Sequence, residues 1–248
     1  MDSTIRRVAL VTGASRGIGR AIAERLAGAG YDLTISARDL SSLERAAEVM
    51  RLAGASVRAV TADMSSEGDV AALSQGHQGA FDRLDVLVIC AGVGMYGRVE
   101  DYPLRRLDKQ IAINLRAPFQ LVRDCLPILK KTASLEPTRG TKIIVLTSLT
   151  GIVPELGLAA YAATKAGLNS FCESVNLEMS SLGISATALA PGYVDTEMSR
   201  WVHERVPPET MITTEDVAEL AMALTRLSAK SVVAQIPISR AGVEFWRA

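Results

Sequence analysis

The sequence predicts an α/β fold, a doubly wound parallel sheet with helices on both faces. Three observations predict it. Short β-branched or aliphatic runs alternate along the chain with stretches of helical periodicity. Those runs are apolar throughout rather than alternating, as strands covered on both faces by helices require. The first run leads directly into a glycine-rich turn that opens a helix. Strand–helix alternation with right-handed crossovers closes such a chain into a parallel sheet.

The elements follow in order. Arg7–Val11 is the first strand, and a helix through Ile18, Ala21, Ile22, Arg25 and Leu26 follows until Gly28 and Gly30 end it. Tyr31–Ser36 is the second strand, after which Ser41 and Glu44 form a capping-box pattern for the next helix. Val57–Thr61 and Val86–Cys90 are the third and fourth strands. One long helix is expected over Leu104–Lys130, kinked at Pro118. Pro137–Gly140 is a surface loop before the fifth strand, Lys142–Thr147. A helix over Tyr161–Leu182, the strand Ile184–Ala190, a helix over Thr214–Leu227 capped by Thr213 or Thr214, and the strand Ser231–Ile236 complete a seven-stranded sheet. No linker, repeat or low-complexity tract divides the chain, so residues 1–248 are expected to form a single domain.

Composition narrows the function. Lysine plus arginine and aspartate plus glutamate both number 27, so there is no excess of basic residues for a nucleic-acid face. No apolar run reaches the length of a membrane span. Cys90, Cys125 and Cys172 are far apart, which suits buried thiols in a reducing cytoplasm. His77 and His203 form no ligand cluster, so no metal site is expected.

The turn Thr12-Gly13-Ala14-Ser15-Arg16-Gly17-Ile18-Gly19 sits where a strand meets a helix N-terminus. Glycines there permit positive φ and close approach of a pyrophosphate, while free N–H groups face the anion. At the tip of the second strand stand Ala37 and Arg38, where an NAD enzyme usually carries an acid. A guanidinium suits a 2′-phosphate, so Arg38, with Arg16 reaching the same group, favours NADP(H). Asp39 lies near the spacing of a ribose-binding acid, roughly twenty residues past Gly19, but beyond the strand tip, where turn or capping duty competes. Asp63, followed by Met64 after the third strand, reads either as an adenine contact or as a turn residue.

Ser148 closes the fifth strand, and Tyr161 and Lys165 share one face of the following helix, four residues apart. Carbonyl reduction needs hydride at carbon and a proton at oxygen. A tyrosine beside a lysine is a candidate proton donor, its pKa lowered by the ammonium. Ser148 is a candidate donor to the carbonyl oxygen. Asn114, polar within an apolar helical stretch, is a candidate to hold a water that links Lys165 to solvent.

Thr12–Gly19, Asn114, Ser148, Tyr161-Ala162-Ala163-Thr164-Lys165 and Pro191-Gly192 together resemble the short-chain dehydrogenases/reductases over nearly the whole chain. The resemblance implies a Rossmann-type sheet. It also implies Tyr161 as acid/base, Ser148 orienting substrate, Lys165 binding the nicotinamide ribose, and Asn114 supporting the relay. The backbone of Val194 and Thr196, after Pro191-Gly192, would hold the carboxamide, and Ala91-Gly92 would pass close to the cofactor ribose. It further implies a homodimer or homotetramer built on the two long helices. The sequence departs from the family at Ile89-Cys90-Ala91-Gly92, where Asn-Asn-Ala-Gly is usual, so the asparagine bonds that brace the sheet are absent. The last strand also lacks its usual glycine.

Candidates for substrate contact are Met95, Tyr96, Leu149, Tyr193 and Trp201, with Val93-Gly94, Thr150-Gly151 and Val153-Pro154 beside them and Trp201 in a lid over Met198–Val206. Most are apolar, which predicts a hydrophobic ketone or 3-oxoacyl-type carbonyl. The competing expectations are an NAD-dependent alcohol dehydrogenase and a nucleotide-sensing regulator without turnover.

Overall fold

The computed structural model describes residues 6–243. Seven strands form its frame: β1 (Val8–Thr12), β2 (Asp32–Ala37), β3 (Val57–Thr61), β4 (Val86–Ile89), β5 (Thr141–Leu146), β6 (Ile184–Pro191) and β7 (Gln235–Ile238). Their order is β3-β2-β1-β4-β5-β6-β7, with every neighbouring pair parallel. The order reverses between β1 and β4, which opens a crevice at the carboxyl ends of the strands.

β1, β4, β5 and β6 are buried along their whole length, which accounts for their unbroken apolar character. One core layer packs helices α1 (Gly17–Gly28), α2 (Leu40–Leu52) and α7 (Thr214–Arg226) on one face through Ile22, Leu26, Leu43 and Val217. The other layer packs α3 (Glu67–Ala80), α5 (Ala117–Leu135) and α6 (Ala159–Met179) through Leu73, Leu121 and Leu168. His77 is fully buried in this second layer. Its Nδ1 lies 2.8 Å from Thr34 Oγ1 and its Nε2 3.2 Å from the Arg83 carbonyl, and burial pulls its pKa down to about 4.

Several local expectations are corrected. α2 is capped by Asp39, whose carboxylate accepts from the Ser42 N–H at 2.7 Å, and not by a Ser41–Glu44 box. The long helix before β5 is α4 (Leu104–Ile111), a π turn over Ala112–Arg116, and α5. Pro118 has no N–H to offer the Asn114 carbonyl four residues earlier, so the helix loosens one turn ahead of the proline. α6 begins at Ala159, before Tyr161, and gives way to a 3₁₀ turn at Ser180–Leu182. The last strand is displaced from Ser231–Ile236 to β7, where Gln235 pairs with Ala188 and Ile238 with Pro191. β7 is an edge strand, the place in a sheet that tolerates Pro237. Thr213 caps α7 as expected, in a capping box with Asp216.

Candidate active site

The glycine turn lies at the switch point, between β1 and α1. Gly13 (φ 68°) and Gly17 (φ 56°) adopt the left-handed backbone that favours glycine. A Cβ on Gly19 would stand 2.5 Å from the Gly13 carbonyl oxygen, and one on Gly13 3.0 Å from the Ala91 amide nitrogen. The turn is therefore compressed onto itself and onto the chain leaving β4. The missing asparagine brace has a substitute here. Thr12 Oγ1 accepts from the N–H groups of both Cys90 and Ala91, at 3.0 and 3.1 Å. A threonine closing an apolar strand was the available signal for that role.

Around the second strand tip, Arg38 is exposed, with no hydrogen bond or ion pair among the described residues. Arg16, expected to share a phosphate with Arg38, is instead ion-paired with Glu197, just before the lid. Asp63 closes a turn by accepting from the Ser65 N–H and hydroxyl, both at 2.8 Å, which holds its carboxyl below the usual range. The Met64 side chain belongs to the core, packed with Val70 and Leu73.

A cavity of about 350 Å³ opens beyond the carboxyl ends of β4, β5 and β6. Ile18, Gly92, Met95, Tyr96, Ser148, Tyr161, Lys165, Pro191, Gly192, Tyr193, Val194, Thr196 and Trp201 all line it, as expected. Leu149 does not. The 3₁₀ turn at Leu149–Gly151 rotates Leu149 into the core, where it is 1% exposed, and Thr150 faces the cavity in its place. Met198 and Ser199 of the expected lid line the cavity too, and Thr147 and Leu158 line it beyond the residues proposed from sequence.

Ser148 and Tyr161 lie within hydrogen-bonding reach of each other, and the Thr150 N–H donates to Ser148 Oγ at 3.2 Å. Lys165 Nζ donates to the Leu146 carbonyl at 2.7 Å and stands 5.6 Å from the Tyr161 ring centroid. Burial pushes the Tyr161 phenol up to about 12, with the Ser148 hydrogen bond working against it. Burial also pulls the Lys165 ammonium down to about 8. The expected lowering of the tyrosine by the lysine does not appear in this chain: burial dominates, and only the Ser148 hydroxyl works against it.

Asn114 sits in the π turn, fully buried. Its amide donates to the Val93 carbonyl at 2.8 Å and to Thr164 Oγ1 at 3.2 Å, while its carbonyl accepts from the Val93 N–H at 2.9 Å. It ties the loop after β4 to the helix that carries Tyr161 and Lys165. Its Oδ1 and Lys165 Nζ both lie close to Gly92, within 3.4 and 3.5 Å of where a Cβ would be.

With this geometry in view, the relatives are decisive. A family model described as short chain dehydrogenase matches residues 7–206. The chain belongs to the short-chain dehydrogenase family. An uncharacterised oxidoreductase of Bacillus subtilis is 30% identical over 96% of this chain and 98% of its own. A rhamnolipids biosynthesis 3-oxoacyl-[acyl-carrier-protein] reductase of Pseudomonas aeruginosa is 34% identical over 79% of this chain and 76% of its own. Among solved structures, a metagenomic short-chain oxidoreductase in complex with NADP is similar with a TM-score of 0.81 and 31% identity, covering 94% of this chain and 96% of its own. This short-chain dehydrogenase thus keeps the sheet order and cleft expected of it. No helix among its described residues is long and apolar enough to cross a membrane.

Proposed function

We propose that this chain is an NADPH-dependent reductase of an apolar ketone or 3-oxoacyl-type carbonyl. One observation carries the reading. Ser148, Tyr161 and Lys165 converge on a largely apolar cavity that adjoins a glycine turn too tight for side chains. The cradle fits a dinucleotide. Its backbone leaves room for a pyrophosphate at the α1 N-terminus, and Arg38, exposed beside Asp63, presents its guanidinium for a 2′-phosphate. Arg16 would first have to leave Glu197. Asp39, committed to capping α2, is not available as a ribose acid. The NADP in the metagenomic relative supports the same choice.

When bound, the nicotinamide supplies the hydride. Val194 and Thr196 would hold its carboxamide, and Lys165 its ribose. Ser148 donates to the substrate carbonyl oxygen and stabilises the charge that develops there. Tyr161 delivers its phenolic proton to that oxygen. Asn114 keeps Val93 and the Tyr161 helix in register. Exposed Phe119 and Leu177, on α5 and α6, support a homodimer or homotetramer built on those helices. A cytoplasmic setting agrees with three free thiols.

The test is a carbonyl panel followed by loss of reduced-cofactor absorbance. The wild type turns over members of the panel with NADPH. Tyr161→Phe loses roughly a thousandfold in kcat while still binding NADPH. Absence of turnover across the panel, or full activity in Tyr161→Phe, defeats the reading.

A further inference from the structure

The far wall of the cavity is aromatic, and it is held from outside. The Tyr96 and Trp201 ring centroids are 5.6 Å apart, and those of Tyr193 and Trp201 6.2 Å apart in an edge-on arrangement. One short loop, residues 153–157, supports two of these rings. Its Glu155 accepts the Tyr193 hydroxyl proton at 2.7 and 2.9 Å to its two oxygens. Its Gly157 lies against Tyr96, where a Cβ would stand 2.1 Å from Tyr96 Cε2. The third ring is backed by Arg205, whose guanidinium carbon is 5.5 Å from the Trp201 centroid. Arg205 and Glu155 are themselves 3.8 Å apart. A charged pair outside the cavity thus braces two of the rings inside it.

Two further facts bear on what enters. Tyr96, Trp201 and Met198 are each about half exposed, so the wall presents apolar faces that no described residue covers. Among the described residues lining the cavity, Lys165 is the only charged one, and its Nζ serves the Leu146 carbonyl and, on the reading above, the nicotinamide ribose. A carboxylate carried in beside the reacting carbonyl would lose its water with no cation free to receive it, which is costly.

We infer that this site selects an uncharged ketone bearing a flat aromatic group, which stacks on the Tyr96–Trp201–Tyr193 wall. Glu155 is a positioning residue that acts through Tyr193. The inference rests on the carbonyl-reductase reading and narrows it. It sets free 3-oxo acids apart from their neutral esters, and flat rings apart from puckered ones of equal size.

The experiment uses the full chain, NADPH and four probes: acetophenone, cyclohexyl methyl ketone, ethyl benzoylacetate and the benzoylacetate anion. The ester is expected to exceed its anion in kcat/KM by roughly a hundredfold, and acetophenone to exceed the cyclohexyl ketone by about tenfold. Glu155→Ala is expected to bring the second ratio close to one through KM more than kcat, without change in NADPH Kd. Glu155→Gln, which still offers Tyr193 an acceptor, restores the ratio. If Glu155→Ala does not fold by circular dichroism, Trp201→Leu, at an exposed position, tests the same wall and should lose the same preference. Equal rates for ester and anion, a preference for the cyclohexyl ketone, or variants that slow all four probes alike would overturn the inference. No turnover of any probe by the wild type overturns this inference, and the carbonyl-reductase reading falls with it only when the wider carbonyl panel fails too; turnover in the wrong order overturns this inference alone.

Discussion

The two ends of the cleft are built from different materials. At the cofactor end the working surface is backbone: Gly13 pressed against the Cys90–Ala91 chain and Gly19 against Gly13, with Thr12 as the brace. At the substrate end it is side chain: three rings on separate segments, tied by Glu155 and Arg205 and half open to water. A backbone surface takes one shape and fits what every dinucleotide shares. A side-chain surface changes with each substitution, so specificity belongs there. The first should therefore fail abruptly when altered, and the second by degrees.

Gly19→Ala is the harshest way to break that contrast. Its Cβ would meet the Gly13 carbonyl oxygen at 2.5 Å, so backbone must move. Overpacking of about 1–3 kcal/mol corresponds to roughly a hundredfold weaker NADPH binding, read by fluorescence titration, with a lowered Tm. Native affinity in this variant would show that the turn is looser than it looks. Arg38→Ala comes next. Loss of charge-assisted bonds to a 2′-phosphate should raise the NADPH Kd roughly ten- to a hundredfold and leave the NADH Kd alone. An equal effect on both would show that Arg38 does not read the phosphate.

Gly157→Ala probes the other end. It strains a residue at φ 78° and pushes into Tyr96. A KM rise of about three- to tenfold for an aryl ketone is expected, at a stability cost of about 1–2 kcal/mol, with NADPH affinity untouched. Weakened NADPH binding would mean that the two ends are coupled.

The mildest effect at neutral pH spares both ends. Folded His77 titrates near 4 against 6.5 for the free imidazole, so above pH 6.5 neither state is charged and nothing is lost. Between pH 6.5 and 4 the unfolded chain takes up a proton that the folded chain refuses, and stability falls as pH falls. The loss reaches about 3 kcal/mol near pH 4. Denaturant midpoints across that range should flatten in His77→Gln. An unchanged slope would assign the acid sensitivity to other groups.

Much of the fold was legible because its signals are local. Apolar runs, helical periodicity and glycine placement depend on neighbours within a few residues, and they located the elements. The limits appeared where a partner far along the chain decides. β7 is positioned by register with β6, not by its own apolar run. The cap of α2 is a local contact that the capping-box pattern hid: the Asp39 carboxylate, two residues before Ser41, meets the Ser42 N–H.

The candidate site divides along the same line. Ser148, Tyr161 and Lys165 were visible from their places at a strand end and on one helix face, because strand and helix geometry dictate such spacings. Leu149 next to Ser148 was misplaced, since a single 3₁₀ turn decides whether it faces cavity or core. Arg16 was read as free because its partner, Glu197, is distant in sequence.

The sequence by itself determined the glycine turn, the sheet it belongs to and the candidate trio Ser148, Tyr161 and Lys165, since each follows from short-range backbone geometry. Tertiary structure alone decided the titration of Tyr161 and Lys165, the pairing of Arg16, and the brace of Glu155 and Arg205 behind the aromatic wall. Burial and ion pairing are properties of what packs around a residue, and they exist only once distant segments meet.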